Sequence, residues 1–571
     1  MADHRQVLVN PGEVTVCHER IAGLPVVNAV LVRLGFLRLL EEHLDEPDPR
    51  SAVSTAQVIG VLVCNLCLGR QPLYGLSAWA GTYDPELLGL FPGEAGALND
   101  DRVGRALDEL FSADRASLLT ALSLSAIDAF EIATSELHDD STSIALYGAY
   151  EQATGSARSG KVPALPARGH SKDHRPDLKQ LVWILTISAD GAVPITYRIA
   201  DGSTEDSTTH ITTWERCRRI VGTAGFLYVA DCKLATTKNM TYVDSHGGRF
   251  LTILPRTRKE DEIGRAFIAS GRAELVEVSR RRGRRLRDPD EVYEAAPAPS
   301  CSAEGFRIVW FRSSTKRVND AASRLARVTE AHAGLAELAT SLSSPRCRLK
   351  SQQAVEDAAA KVIAAHGATR WVRFSVADDV EVEYRQEHRG RPGKDTRYKK
   401  VERHRFSLTF STNDEIVRFD AACDGFFPMV TNDTTMTPAE LLSAYKRQPR
   451  LERRHATFKG VIEAAPIELK SEYRIDAFGF CLYVALLVHA LIERELRRAM
   501  AEAGIAQLPL YYEDRACRAP TTARVLELLD TLERTIVSHR GEILAVSAPE
   551  LSPLQERLLT LLEVPLSAYS A

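Results

Sequence analysis

SELHDDSTSIALY, residues 135–147, reads as a β-strand with two adjacent carboxylates, Asp139 and Asp140, in its middle. Ionised acids inside an apolar strand are costly unless something neutralises them. A bound metal would do so; a strand end that reaches solvent is the bland alternative. Downstream, QLVWILTISADGAVPITYRIADG (180–202) reads as two strands joined at Asp190-Gly191, a hairpin signal. DSTTHITTWERCRRIVG (206–222) reads as a capped helix ended by Gly222. FLYVAD (226–231) is a buried strand closed by an acid, Asp231. A short helix (236–248) and the strand RFLTILP (249–255) follow. The order β-β-β-α-β-α-β is that of a mixed α/β core, and an acid at the C-terminal end of a buried strand is a common ligand position in such folds.

Working outward, residues 18–130 read as helices, among them PVVNAVLVRLGFLRLLEEHL (25–44), TAQVIGVLVCNLCL (55–68) and LNDDRVGRALDELF (98–111), the last capped by Asn99 or Asp100. Between 256 and 420 the texture changes to a basic run, SRRRGRRLRDP (279–289), two helical stretches and alternating segments such as WVRFSVADDVEVEYRQ (371–386), which together read as an inserted module. DGFFPMVTN (424–432) reads as a strand returning to the core, and 437–459 as the helix after it, with Thr437 as N-cap and Pro438 at its first position. The expected division is a helical N-terminal region (1–130), a core in two parts (131–255 and 421–500), an inserted α+β module (256–420) and a helical tail (501–571) that includes SPLQERLLTLLEV (552–564).

With 571 residues and a net charge of −4, the chain is long enough for several domains and has no global pull toward nucleic acid, so any such binding must come from local clusters. Six arginines between 280 and 287, including Arg281, Arg282, Arg284 and Arg285, form one; they would neutralise phosphates and make binding salt-dependent, the alternative being a solvated loop. The single CxxC, Cys64 to Cys67, has no second pair nearby and reads as two buried thiols on a helix. No secretory signal opens the chain, and the apolar run FGFCLYVALLVHALI (478–492) is short for a membrane span and reads as a buried helix, so a reduced, cytoplasmic setting without membrane partners is expected.

One helix is unlike the others. In YKRQPRLERRHATFK (445–459), Tyr445, Gln448, Glu452 and Lys459 are offset by 3, 7 and 14 positions, which at 100° per residue puts them within a stripe about 60° wide. Pro449 inside this helix predicts a kink. If Asp140 and Asp231 lie side by side, a helix crossing them brings Glu452 to the same point. Three carboxylates make an oxygen-only donor set suited to Mg²⁺ or Mn²⁺, and two such ions drive in-line displacement at a phosphodiester. Lys459 would hold a phosphate, with Tyr445 and Gln448 bonding phosphate or sugar oxygens nearby.

These residues resemble the bacterial insertion-sequence DDE transposases with a ribonuclease-H-like core, and more closely the IS-four-type group, which carries a Y-x2-R-x3-E-x6-K signature. Here it runs Tyr445, Gln448, Glu452, Lys459, with Gln in place of Arg. Asp140-Ser141-Thr142 matches the family's D-x-T strand motif, which favours Asp140 over Asp139, and Asp231 matches its second acid. RQPLYGLSAWA (70–80), LNDDRVGRALDEL (98–110), GHSKDHRPDLKQ (169–180) and SPLQERLLTLLEV also resemble the group. The resemblance implies two divalent metal ions on Asp140, Asp231 and Glu452, cutting at element ends, joining of 3′ ends to target DNA, an insertion between the second and third acids, and a homodimer assembled on the terminal inverted repeats. It also implies an aromatic residue that holds a flipped base, for which Trp310 in RIVWFRS stands as one reading and a buried core tryptophan as the other. Three rival readings stay open: a nuclease of the same fold, a non-catalytic DNA-binding derivative, and an α/β metallo-hydrolase of small phosphoesters.

Overall fold

In the computed structural model, which describes residues 14–46, 48–283, 287–344, 347–464, 467, 469–511, 513, 515–540 and 542–570, the chain divides into two units. One comprises 1–252 with 441–571, the other 253–440. The N-terminal helices, the strands up to residue 252 and the tail fall in the first unit, and the expected insertion (256–420) falls in the second.

The first unit opens with β1 (Val14–Arg20) and the helices α1 (Leu24–Arg33), α2 (Phe36–His43), α3 (Thr55–Leu68), α4 (Leu76–Ala80), α5 (Asp100–Ser112) and α6 (Arg115–Phe130). Asn99 caps α5, its side chain accepting from the Arg102 amide. The core follows as β2 (Glu136–Leu146), β3 (Lys179–Ser188), β4 (Pro194–Ala200), α7 (His210–Val221), β5 (Leu227–Ala230), α8 (Thr237–Ser245) and β6 (Arg249–Ile253). These strands pair in the order β4-β3-β2-β5-β6, with β2, β3 and β4 antiparallel and β2, β5 and β6 parallel. That is the mixed α/β, ribonuclease-H-like core the sequence predicts. The hairpin at Asp190-Gly191 forms, with Gly191 at φ +67. Gly222 ends α7 in the left-handed conformation, while Thr209 at its start makes no side-chain cap.

The second unit holds α9 (Lys259–Ala269), β7 (Val276–Arg281), β8 (Glu291–Pro297), β9 (Arg307–Ser313), α10 (Ser314–Leu342), α11 (Gln352–Ala365), β10 (Val372–Gln386), β11 (Tyr398–Thr412), α12 (Asp414–Ala422) and β12 (Phe426–Thr431). Within it, β12, β9, β8 and β7 are antiparallel neighbours in that order. The strand expected over 424–432 thus forms, as β12. The ribbon β10–β11 roots in its own small core, where Ala331, Leu335, Ala359 and Ile363 pack against Val372 and Leu408. Trp310 sits on β9 at 1% exposure, its face against Gly264, where an added Cβ would lie 2.3 Å from the ring. Of the two readings of Trp310, the buried core tryptophan is the one that forms.

The chain continues through α13 (Pro438–Tyr445), α14 (Pro449–Ala456), α15 (Glu472–Glu502), α16 (Thr522–Leu529), β13 (Glu533–His539), β14 (Glu542–Ser547) and α17 (Pro553–Leu561). Thr437 and Glu440 cap α13 reciprocally, and Ser552 and Gln555 do the same for α17. The apolar run 478–492 lies in α15, which by length and composition is apolar enough to cross a membrane; 89% of its most apolar window is buried inside the protein. It packs against α1, α3, α5, β4, α16 and α17. Each fully buried leucine there, such as Leu486 or Leu487, contributes about 1.5–3 kcal/mol. N-terminus and tail are tied together: β1 pairs with β13, and the Tyr569 hydroxyl donates to the Ala22 carbonyl at 2.8 Å. Cys64 and Cys67 are both buried on α3, and burial pushes the Cys64 thiol up to about 12.

Candidate functional site

The parallel register of β2 and β5 brings the first two acids together. Its last aligned pair is Asp139 with Ala230, so the next residue on each strand is Asp140 and Asp231. Successive side chains of a strand point to opposite faces, and this separates the two aspartates of β2. Asp139 is 1% exposed, accepts from the Thr186 hydroxyl at 2.8 Å and lies 3.5 Å from His210 Nδ1 on α7. Asp140 faces the other way, where His455 Nε2 of α14 lies 4.0 Å from its Oδ2. Asp231 ends β5, and its side chain accepts from the Lys233 amide at 2.9 Å.

The stripe of 445–459 is not carried by one kinked helix. The break is complete: α13 ends at Tyr445, and α14 begins at Pro449, which has no amide hydrogen to continue the ladder. Lys459 follows in a π turn, Thr457–Val461. What orients α14 is a set of bonds to β2 and to the β3–β4 turn. Arg447 grips both oxygens of Glu136 at 2.8 and 2.7 Å. Arg450 donates to the Ala189 carbonyl at 2.9 Å, and Arg454 to Ala192 and Gly191 at 2.9 and 3.0 Å. Arg454 also meets Glu493 of α15 at 2.8 Å, both nearly buried. Removing one partner of such a pair strands the other charge. Glu493→Ala is therefore expected to destabilise the protein by about 3–5 kcal/mol, read as a lowered urea midpoint.

Gln448 is buried; its Oε1 lies 2.8 Å from His138 Nδ1, and its Nε2 donates to the Asp139 carbonyl at 3.1 Å. Its expected contact with DNA is corrected to a positioning role, because its amide is turned into β2. Lys459 is half-buried and its Nζ lies 2.6 Å from Asp173. Arg281 and Arg282 are exposed, whereas Arg284 and Arg285 lie outside the described residues.

The Tyr445 phenol feels the charge of all three acids. Burial, then the charges of Asp231, Glu452 and Asp140, push its phenol up to about 12, so it stays protonated and able to donate. Asp140 is pushed up to about 6, first by burial; Lys172 opposes this, and Asp231 and Asp139 add to it. Glu452 is exposed on α14. Lys172 is the residue that spacing did not reveal. Its Nζ lies 3.5 Å from Asp140, 3.4 Å from Asp206 and 2.5 Å from the Ser141 carbonyl. It falls in the segment 169–180, but nothing in a loop's sequence points to the strand it will touch. His455 is driven down to about 3 by burial, then by Lys172 and Lys459, so it is neutral at ordinary pH.

The donor chemistry fits a hard divalent cation: three carboxylates, with the Asp140 charge under-compensated by a single ammonium group. Among the described residues, however, no three acid, histidine or cysteine side chains already converge as metal ligands. Lys172 stands where a cation would relieve Asp140.

Residues 16–124 match the family model described as Domain of unknown function (DUF4277), a domain found in transposase-like proteins. The match covers β1 and the helices up to α6, outside the strands that carry the acids. No curated protein matches the chain.

Proposed function

We propose that the protein is a DDE-type DNA transposase that cuts the ends of an insertion sequence and joins the freed 3′ ends to target DNA. The observation that carries this reading is the register of the parallel β2–β5 pair, which sets Asp140 beside Asp231 on a ribonuclease-H-like sheet; the charges of both, and that of Glu452 on α14, act on the Tyr445 phenol. The DUF4277 match supports it from a separate part of the chain. Asp140, Asp231 and Glu452 would hold Mg²⁺ or Mn²⁺, which when bound supplies Lewis-acid stabilisation of the charge that develops at the scissile phosphate. Tyr445 keeps its proton and donates to a phosphate oxygen. Lys172 and Lys459 supply positive charge beside the acids, and Lys459 exchanges Asp173 for phosphate when DNA enters. His455, neutral and buried, keeps water from the back of the Asp140 carboxyl. Two ends must be cut together, so the working form is a dimer on double-stranded DNA.

The test is excision in cells, with the gene and its native flanking DNA on a plasmid and the rejoined empty site as readout. Excision that disappears in Asp231→Asn supports the reading. Metal-dependent nicking of purified DNA without any joined product would turn it into a nuclease of the same fold, and hydrolysis of small phosphodiesters alone would sink it.

A further inference from the structure

The β10–β11 ribbon extends well beyond the core that anchors it. Fifteen paired residues in each strand give a length of about 50 Å. Its root is packed, but from Asp378 outward nearly every residue is exposed. Val380, Val382, Tyr384 and Tyr398 are 46–65% exposed. A two-stranded ribbon in water is marginal by itself, and bare strand edges invite a partner.

Charge says which partner. Between Arg385 and Arg405 there are nine arginines and lysines against three acids. Along the shaft most cations are matched: Arg405 with Glu381 at 3.0 Å, Arg385 with Glu383 at 3.0 Å and Lys400 with Glu402 at 2.6 Å. At the tip they are not. Among the described residues, Arg389, Arg391, Lys394 and Arg397 have no ion pair, and all four are exposed.

The tip reads Arg389-Gly390-Arg391-Pro392-Gly393-Lys394. Pro392 disfavours a helical Arg391 and holds it extended. Gly390 lies at φ +155 with open space where a side chain would be, so the backbone between the two guanidinium groups is as thin as a chain can be. A slim extended strand carrying two arginines fits the minor groove of B-DNA, about 6 Å wide. A·T tracts narrow that groove and deepen its negative potential, which attracts arginine. The floor of the groove offers only acceptors at A·T pairs, whereas G·C adds an amino group that obstructs close approach.

We infer that the tip of the β10–β11 ribbon is a minor-groove clamp for A·T-rich duplex DNA, inserted through Arg389 and Arg391. This rests on the reading that the protein works on DNA, but not on its chemistry. The test measures fluorescence anisotropy of the full-length protein on three labelled 20-mers: an A·T-tract DNA duplex, a G·C DNA duplex and an RNA duplex. Wild type is expected to bind the A·T duplex about tenfold more tightly than the G·C duplex. A minor-groove-binding drug is expected to abolish the difference. R389A/R391A is expected to bring it within about twofold, and R389K/R391K, which keeps the charge, to reduce it as well. An unchanged thermal midpoint checks that these exposed substitutions leave the fold intact. Equal affinity for the two DNA duplexes, a preference that survives R389A/R391A, or equal binding of the RNA duplex, whose minor groove is wide and shallow, overturns the inference. Metal-dependent nicking scored on the same preparations separates the two readings. Nicking without an A·T preference removes the clamp alone, and a preference without nicking removes the proposed reaction alone.

Discussion

Glu452→Gln is expected to lower metal-dependent DNA cleavage by about 10³-fold or more while leaving DNA affinity within about twofold. The asymmetry follows from where Glu452 sits. It is exposed on α14, and α14 is held by Arg447, Arg450 and Arg454, none of which touches Glu452. Gln has the same shape, so stability is expected to change by no more than about 0.5 kcal/mol. What it lacks is the charge that, on the proposed reading, would help hold a divalent cation beside Asp140 and Asp231. Cleavage of a nicked-end substrate and anisotropy with the same DNA check both halves. Retained cleavage would remove Glu452 from the site, and collapsed binding would make it structural.

Asp140→Asn is expected to do two things at once: abolish cleavage and stabilise the fold. The Asp140 carboxyl is raised from 3.8 to about 6, by burial before all else. A carboxyl whose folded value lies above its unfolded one holds its proton more tightly when folded, so stability falls as pH rises from about 4 to about 6 and is level above that. The ionised group therefore costs about 2–3 kcal/mol at neutral pH. Asn cannot ionise, so the variant is expected to gain roughly that amount at pH 7, gain little at pH 4, and lose the slope between. Lys172 keeps Asp206 and the Ser141 carbonyl as partners, so the substitution strands no charge. Urea titrations at pH 4, 5, 6 and 7 measure it, and a loss of stability at pH 7 would mean that Asp140 is better neutralised than its surroundings show. A site that costs the fold stability is common where activity needs concentrated charge.

Much of the core was legible because it is local. The strand at 135–147, the buried strand at 226–231, the Asp190-Gly191 turn and the caps at Asn99 and Thr437 each depend on neighbours within a few positions. The choice of Asp140 over Asp139 as a candidate rests instead on the resemblance to a D-x-T motif, which no period supplies. The misreadings have a common origin. A helical period was carried through Pro449, whose missing amide hydrogen instead ends one helix and starts another. Gln448 looked like a ligand because its stripe is polar, but an amide satisfied by β2 is equally polar in sequence. Trp310 admits two readings in sequence, because a strand does not say which of its faces is covered, and the buried one is the one that forms.

The sequence by itself determined which segments are strands and helices, where most of them stop, and which residue types the site contains, because backbone preference and hydrophobic period act over a few residues. Only the tertiary structure decided which aspartate of the pair faces α14, that Lys172 comes from a distant loop to Asp140, and that the N-terminal helices and the tail share one unit with the core. Those outcomes depend on strand register and on burial of surfaces hundreds of residues apart, and no local pattern encodes either.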